Sequence, residues 1–140
     1  MSDIDENAFN ELIIKEFREN AGRVGGQFEH VRLALVHTIG AKSGARRVNP
    51  LECMVDGDRY VVIASYAGST THPDWYHNML ANPLVTVEYG AEKFEATARM
   101  AEEPERSELY ARMEAISPDF IGYKKMSGRV IPVVLLERVP

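Results

Sequence analysis

The chain has 140 residues but only one cysteine, Cys53, and no apolar run near the roughly 20 residues that cross a bilayer as a helix. A lone cysteine excludes an intramolecular disulfide framework and a multi-cysteine zinc site. Basic residues are outnumbered, sixteen against twenty-one acids, for a formal net charge of −5. That balance argues against a general nucleic-acid binder, which needs a basic surface to displace counterions from phosphates. Four histidines, His30, His37, His72 and His77, show no metal-ligand spacing and read as surface or capping residues. No G-x-S-x-G elbow accompanies the serines, so a hydrolase triad is rejected. There is no internal repeat, low-complexity stretch or linker, and the opening MSDIDENAF is acidic where a signal peptide is basic. What remains is the expectation of one soluble, cytoplasmic domain.

Apolar residues at Phe9, Leu12, Ile13 and Phe17 fall on one face of a helix over 7–20, with Asp3, Asp5 and Glu6 at its positive end and glycines at 22, 25 and 26 to stop it. Such a helix either packs on the fold or lies over a site or a membrane surface. The period then changes to two. Strands are predicted over 31–39, 48–55 and 60–65, the last two joined by Asp56-Gly57-Asp58, a strong hairpin signal. A short helix over 73–81 ends at Asn82-Pro83, where proline forbids continuation. A second hairpin, 84–89 and 93–100, turns at Gly90-Ala91. A helix over 102–116 places Leu109, Met113 and Ile116 on one face, and a strand over 130–136 carries Pro132, which marks an edge or bulge. Hairpins and tight glycine turns give an α+β fold: a mostly antiparallel sheet curled into a barrel, with helices around it.

The loop Gly40-Ala41-Lys42-Ser43-Gly44-Ala45-Arg46-Arg47 concentrates three cations in an acidic chain. Glycines let backbone approach an anion, lysine adds a point charge, and arginine offers a planar fork. The loop alone reads equally as an anion site or a solvated basic turn. A strand follows it, so it is not a Walker A loop. Asn49-Pro50 can present a side-chain amide and carbonyls to a ligand, or form a simple bulge. Ser65-Tyr66-Ala67-Gly68 begins where a strand ends, just ahead of the short helix. Trp75 and Tyr76 are adjacent on that helix and point apart, with Trp75 expected in the core. Phe120 and Tyr123, three apart, form either core packing or an aromatic wall for a flat ligand.

Taken in order, Gly40-x-Lys42-Ser43-Gly44-x-x-Arg47-Val48-Asn49-Pro50-Leu51, the strand end Ala64-Ser65, His72-Pro73-x-Trp75-Tyr76-x-Asn78-x-x-Ala81-Asn82-Pro83 and Arg129-Val130-Ile131-Pro132-Val133-Val134 resemble the deazaflavin-dependent nitroreductase family. The blocks span about residues 31–137. The resemblance implies a split β-barrel that binds reduced coenzyme F-420, an 8-hydroxy-5-deazaflavin with a phosphate and an oligoglutamate tail. It divides the chain into an N-terminal helix and connector, 1–25, and a barrel body, 26–140. By similarity Lys42 and Arg47 match cofactor-binding positions, and Arg46 adds a third cation. Ser43 and Gly44 complete the loop, and Asn49, Pro50 and Leu51 line the ring. Ala64, Ser65, Tyr66, Ala67, Trp75 and Tyr76 border the pocket. Ser65 and Tyr123 are the catalytic candidates, hydrogen-bonding charge that develops on the acceptor. Two positions depart from the pattern. The residue after the pocket serine, often lysine in the family, is Tyr66. The aromatic cluster that shapes a nitroimidazole pocket is represented by Ser117, Phe120 and Tyr123, of which only Tyr123 keeps a phenolic hydroxyl.

The implied reaction carries a hydride from the reduced deazaflavin to an electrophilic acceptor, a quinone first and a nitroaromatic compound second. Solvent supplies the proton, since no acid–base pair is recognisable. Two other readings stand beside it: a barrel reductase using FMN, and a non-enzymatic carrier of coenzyme, lipid or pigment. The partner expected is a small-molecule electron acceptor, with weak association of the first helix at the inner face of the membrane.

Overall fold

The computed structural model describes residues 3–29 and 31–140. His30 therefore lies outside the described residues, as do the acidic side chains expected at the start of the first helix. Helix α1 runs Asp3–Glu19. Strands β1 (Leu33–Ile39), β2 (Arg46–Glu52), β3 (Met54–Asp56) and β4 (Arg59–Ile63) follow, then α2 (Asp74–Ala81), β5 (Leu84–Tyr89), β6 (Glu92–Met100), α3 (Glu105–Ile116), α4 (Asp119–Ser127) and β7 (Val133–Arg138).

All pairings are antiparallel, in the order β2-β1-β5-β6-β7-β4-β3. The two edge strands are consecutive in the chain and separated by Cys53 alone. One continuous segment thus leaves β1 at residue 52 and joins β4 at residue 54, which curls the sheet back on itself and leaves few free edges. Cys53 is buried at this corner, its amide donating to the Arg32 carbonyl at 2.9 Å. Burial pushes its thiol up to about 12, so it is an inert core residue. Both predicted hairpins form, with Asp56 opposite Arg59 and Tyr89 opposite Glu92. Gly57 and Gly90 sit at positive φ in the turns.

Strand alternation sorts the sheet into an interior and a helix-covered exterior. Ala34, Val36, Val62, Val87, Ala96, Val134 and Leu136 fill the barrel, and Trp75 and Met79 of α2 plug it. On the outside, Phe17 of α1 packs on Leu33 and Leu35 of β1, while α3 and α4 cover Val61, Ile63, Val133 and Leu135.

Four expectations are corrected. The buried face of α1 is Ile13, Ile14 and Phe17; Leu12 is 68% exposed, because the helix is rotated about one position from the predicted stripe. On α3, Tyr110 takes the inward place predicted for Ile116, its hydroxyl donating to the Phe120 carbonyl at 2.7 Å. The strand predicted over 48–55 begins at Arg46 and breaks at Cys53. The last strand starts at Val133, since Pro132 lacks an amide; its carbonyl accepts from Ala64 at 3.0 Å. Helix α4 was expected only as an aromatic spacing.

Candidate functional site

The basic loop is a closed turn. Gly40 donates to the Ala45 carbonyl at 2.8 Å and Gly44 to Gly40 at 2.9 Å, while the Ser43 hydroxyl accepts from the Ala45 amide at 3.1 Å. Gly44 takes φ +70 and a Cβ there would meet nothing within 4 Å. Buried Asn78 of α2 fastens the loop: its Oδ1 accepts from the Ala41 amide at 2.9 Å and its Nδ2 donates to Thr38 Oγ1 at 3.1 Å. Lys42 and Arg47 are exposed and form no ion pair among the described residues.

Register divides the β2 candidates between two faces. Arg47, Asn49 and Leu51 pair with Thr38, Val36 and Ala34, the side of the barrel interior and α2. Arg46 and Pro50 pair with Ile39 and Leu35, the side of α1. Arg46 there reaches His37 Nδ1 at 3.4 Å, and His37 Nε2 lies 2.7 Å from Glu88, which also takes a two-pronged grip from Arg18 of α1. The Arg18 guanidinium, with His37 assisting, holds the Glu88 carboxyl down at about 2. Arg46 is thus drawn into a polar chain under α1 and does not share a face with Arg47.

At the other end of the interior, β4 runs into Ser65-Tyr66-Ala67-Gly68. Tyr66 (φ 49), Ala67 (φ 52) and Gly68 (φ 83) are consecutive left-handed residues, two of them carrying side chains and therefore strained. Arg129 holds this segment. Its Nη2 donates to the carbonyls of Ala64, Ser65 and Thr71, each at 3.0 Å, its Nε to Ser69 at 3.1 Å, and its Nη1 to His72 Nδ1 at 2.8 Å. His72 must be neutral to accept that bond; burial, then the charge of Arg129, lowers its pKa. Ser65 is 6% exposed, and its hydroxyl has no hydrogen-bond partner among the described residues.

Tyr123 stands against this segment on α4. A Cβ on Gly68 would lie 3.3 Å from Tyr123 Cα, so the missing side chain allows the two backbones to meet. The Tyr123 ring is half-buried, edge-on to Phe120 at 5.4 Å. Burial, then Asp119 and Glu52, raises its pKa. The fold therefore brings Ser65 and Tyr123, 58 positions apart, to one corner. Tyr66 and Ala67 are exposed on its rim. Trp75 is 7% exposed in the core, and Tyr76 is half-buried with its ring 4.7 Å from His72. Two shallow concavities of about 420 and 290 Å³ lie elsewhere, the first along Asp58–Tyr60 and 137–140, the second between α1 and the β5–β6 turn. Among the described residues no cluster of three or more metal-ligating side chains occurs.

Three residues escaped the sequence reading: Arg129, Asn78 and Glu52. Arg129 and Asn78 stood inside recognised blocks without a role, since a side chain that ties distant loops together leaves no spacing signature. Glu52 lies inside the strand predicted over 48–55, where nothing singled it out.

The split-barrel architecture is shared with a pyridoxamine 5'-phosphate oxidase-type protein of Listeria innocua, which superposes with a TM-score of 0.56 over 94% of each chain, at 9% identity, a likeness of fold alone. A solved F420-H2 dependent reductase, FDR-A, is 36% identical, with a TM-score of 0.69 over 75% of this chain and 93% of that one. The model of the F420H2-dependent quinone reductase family matches residues 11–138, and the chain belongs to that family. An F420H2-dependent quinone reductase of Mycobacterium tuberculosis is 33% identical over 126 residues, 87% of this chain and 85% of that protein.

Proposed function

We propose that Lys42 and Arg47 bind the phosphate or glutamate tail of coenzyme F-420, and that the Ser65–Tyr123 corner receives the quinone. The observation that carries the reading is the pair of exposed, unpaired cations on a loop fastened to α2 by Asn78. Two cations carried on a fastened glycine turn suit a polyanionic tail, because the backbone that presents them is already ordered before binding. Asn49 and Leu51 share the Arg47 face and extend the site towards the ring. When bound, reduced F-420 supplies the hydride.

The chain's own part is positioning and electrostatics. Arg129 orients Ser65 by holding its carbonyl, which leaves the side-chain hydroxyl free to donate. Ser65 and Tyr123 donate to the acceptor oxygen as negative charge develops there. Ser65→Ala and Tyr123→Phe should therefore lower quinone reduction by roughly ten- to a hundredfold each with coenzyme affinity nearly intact. Stopped-flow oxidation of F420H2 by menadione tests this, and wild-type rates in both variants would place the acceptor elsewhere.

Quinones dissolve in membranes, and exposed Phe9 (42%) and Leu12 (68%) on α1 support weak peripheral attachment at the inner face of the membrane. The helix sequence carries Asp3, Asp5, Glu6, Glu11, Glu16 and Glu19 against Lys15 and Arg18, so attachment would be apolar and opposed by anionic lipid. No described helix is long and apolar enough to cross a bilayer. Vesicle sedimentation should be stronger with neutral than with anionic lipid and weakened by Leu12→Glu.

A further inference from the structure

Glu52 is the last residue of β2, one position past the Asn49-Pro50-Leu51 run and immediately before the corner at Cys53. It is half-buried, and its Oε2 is shielded from solvent without a hydrogen-bond partner. Its partner across the ladder is apolar Leu33. The groups that act on it come from the α3–α4 junction: the Ser117 hydroxyl beside it, the Asp119 carboxylate, and Tyr123, whose phenol feels the Glu52 charge. Burying a carboxylate oxygen without a partner is costly, and a protonated carboxyl removes that cost. Burial first, then Asp119, raises the Glu52 pKa, with Ser117 opposing.

We propose that Glu52 is the proton donor to the quinone, a role that rests on the Ser65–Tyr123 corner being the acceptor site. Quinone reduction needs a hydride and a proton. The hydride leaves F420H2 with its electron pair and adds to the quinone, and the Glu52 O–H bond breaks as its proton passes to the acceptor oxygen, giving the hydroquinone. The single proton that the coenzyme loses along with the hydride goes to solvent, and solvent reprotonates the Glu52 carboxylate. Coenzyme is oxidised and quinone reduced by two electrons each.

Glu52→Gln preserves shape but carries no transferable proton. With F420H2 and menadione, wild-type turnover should fall as pH rises through the raised Glu52 pKa, because the donor is lost. Glu52→Gln should be about a hundredfold slower with a flat profile and unchanged coenzyme affinity. Glu52→Asp, which keeps an ionisable carboxyl, should keep the alkaline limb. The deficit in Glu52→Gln should shrink with quinones whose reduced oxygen anion is less basic. Independently of turnover, carboxyl-carbon NMR of coenzyme-free protein should show Glu52 titrating above the ordinary carboxylate range. A Glu52→Gln rate within about twofold of wild type, an unchanged pH profile, or ordinary titration overturns the proposal. A wild-type protein that binds F420H2 yet reduces no quinone overturns the proposed function itself, while wild-type activity with normal Glu52→Gln turnover overturns only the role of Glu52.

Discussion

Arg129→Ala removes five hydrogen bonds at once. The carbonyls of Ser69 and Thr71 lie on a partly exposed segment where water replaces the guanidinium, so their loss costs little. Those of Ala64 and Ser65 belong to buried residues, and leaving each short of a donor costs about 1–3 kcal/mol. Against this, Arg129 is itself partly desolvated, which lowers its pKa and signals a standing cost that the alanine variant escapes. The balance is about 2–4 kcal/mol, which for a chain of this size is a fall in Tm of roughly 7–14 °C. Arg129→Lys should recover less than half, since an ammonium cannot serve carbonyls in the fork arrangement. Scanning calorimetry measures both. The same variant frees the strained 66–68 turn, so quinone turnover should fall more than coenzyme affinity. A Tm within about 2 °C of wild type for Arg129→Ala would refute the idea that this one side chain holds the 64–72 segment.

Lys42→Ala with Arg47→Ala should weaken F-420 binding by at least tenfold, at about 1.5–3 kcal/mol per charge-assisted contact, and added salt should weaken wild-type binding in the same direction; an unchanged Kd in fluorescence titration removes the loop from the site. His72 has a lowered folded pKa, so its neutral form contributes stability that is complete above about 6.5 and lost as pH falls from there through the folded value; His72→Gln should flatten that part of the pH–stability curve measured by urea unfolding. Glu88, held at about 2 against 4.5, contributes stability that is present above the unfolded value and lost as pH falls towards 2; Arg18→Ala should move its NMR titration back up and narrow that window.

Strands and hairpins were legible because their signals are local: alternation, an Asp-Gly turn and proline stops act within a few residues. The division of β2 from β3 was not, since no glycine, proline or turn pair marks Cys53 and only the closing of the sheet makes it a corner. Helix α1 was legible as a helix, but its rotation depends on which neighbours Leu33 and Leu35 offer, so Ile14 displaced Leu12 inward. The basic loop stood out by charge alone, yet its three cations could not be assigned to faces before the strand was known to begin at Arg46. Tyr123 stands against the 66–68 turn and within reach of the Glu52 charge only because α4 folds back over the sheet, and no spacing along the chain encodes that placement.

The proposed hydride transfer from F-420 to a quinone at the Ser65–Tyr123 corner, with Lys42 and Arg47 gripping the anion, can be watched in single-turnover oxidation of enzyme-bound F420H2 by menadione, through the return of the oxidised deazaflavin absorbance. The rate should saturate with quinone, fall in Ser65→Ala and Tyr123→Phe at unchanged coenzyme affinity, and fall in the Lys42 and Arg47 variants only until excess coenzyme restores it. Binding without oxidation by any quinone, or oxidation indifferent to all four residues, would contradict the proposal.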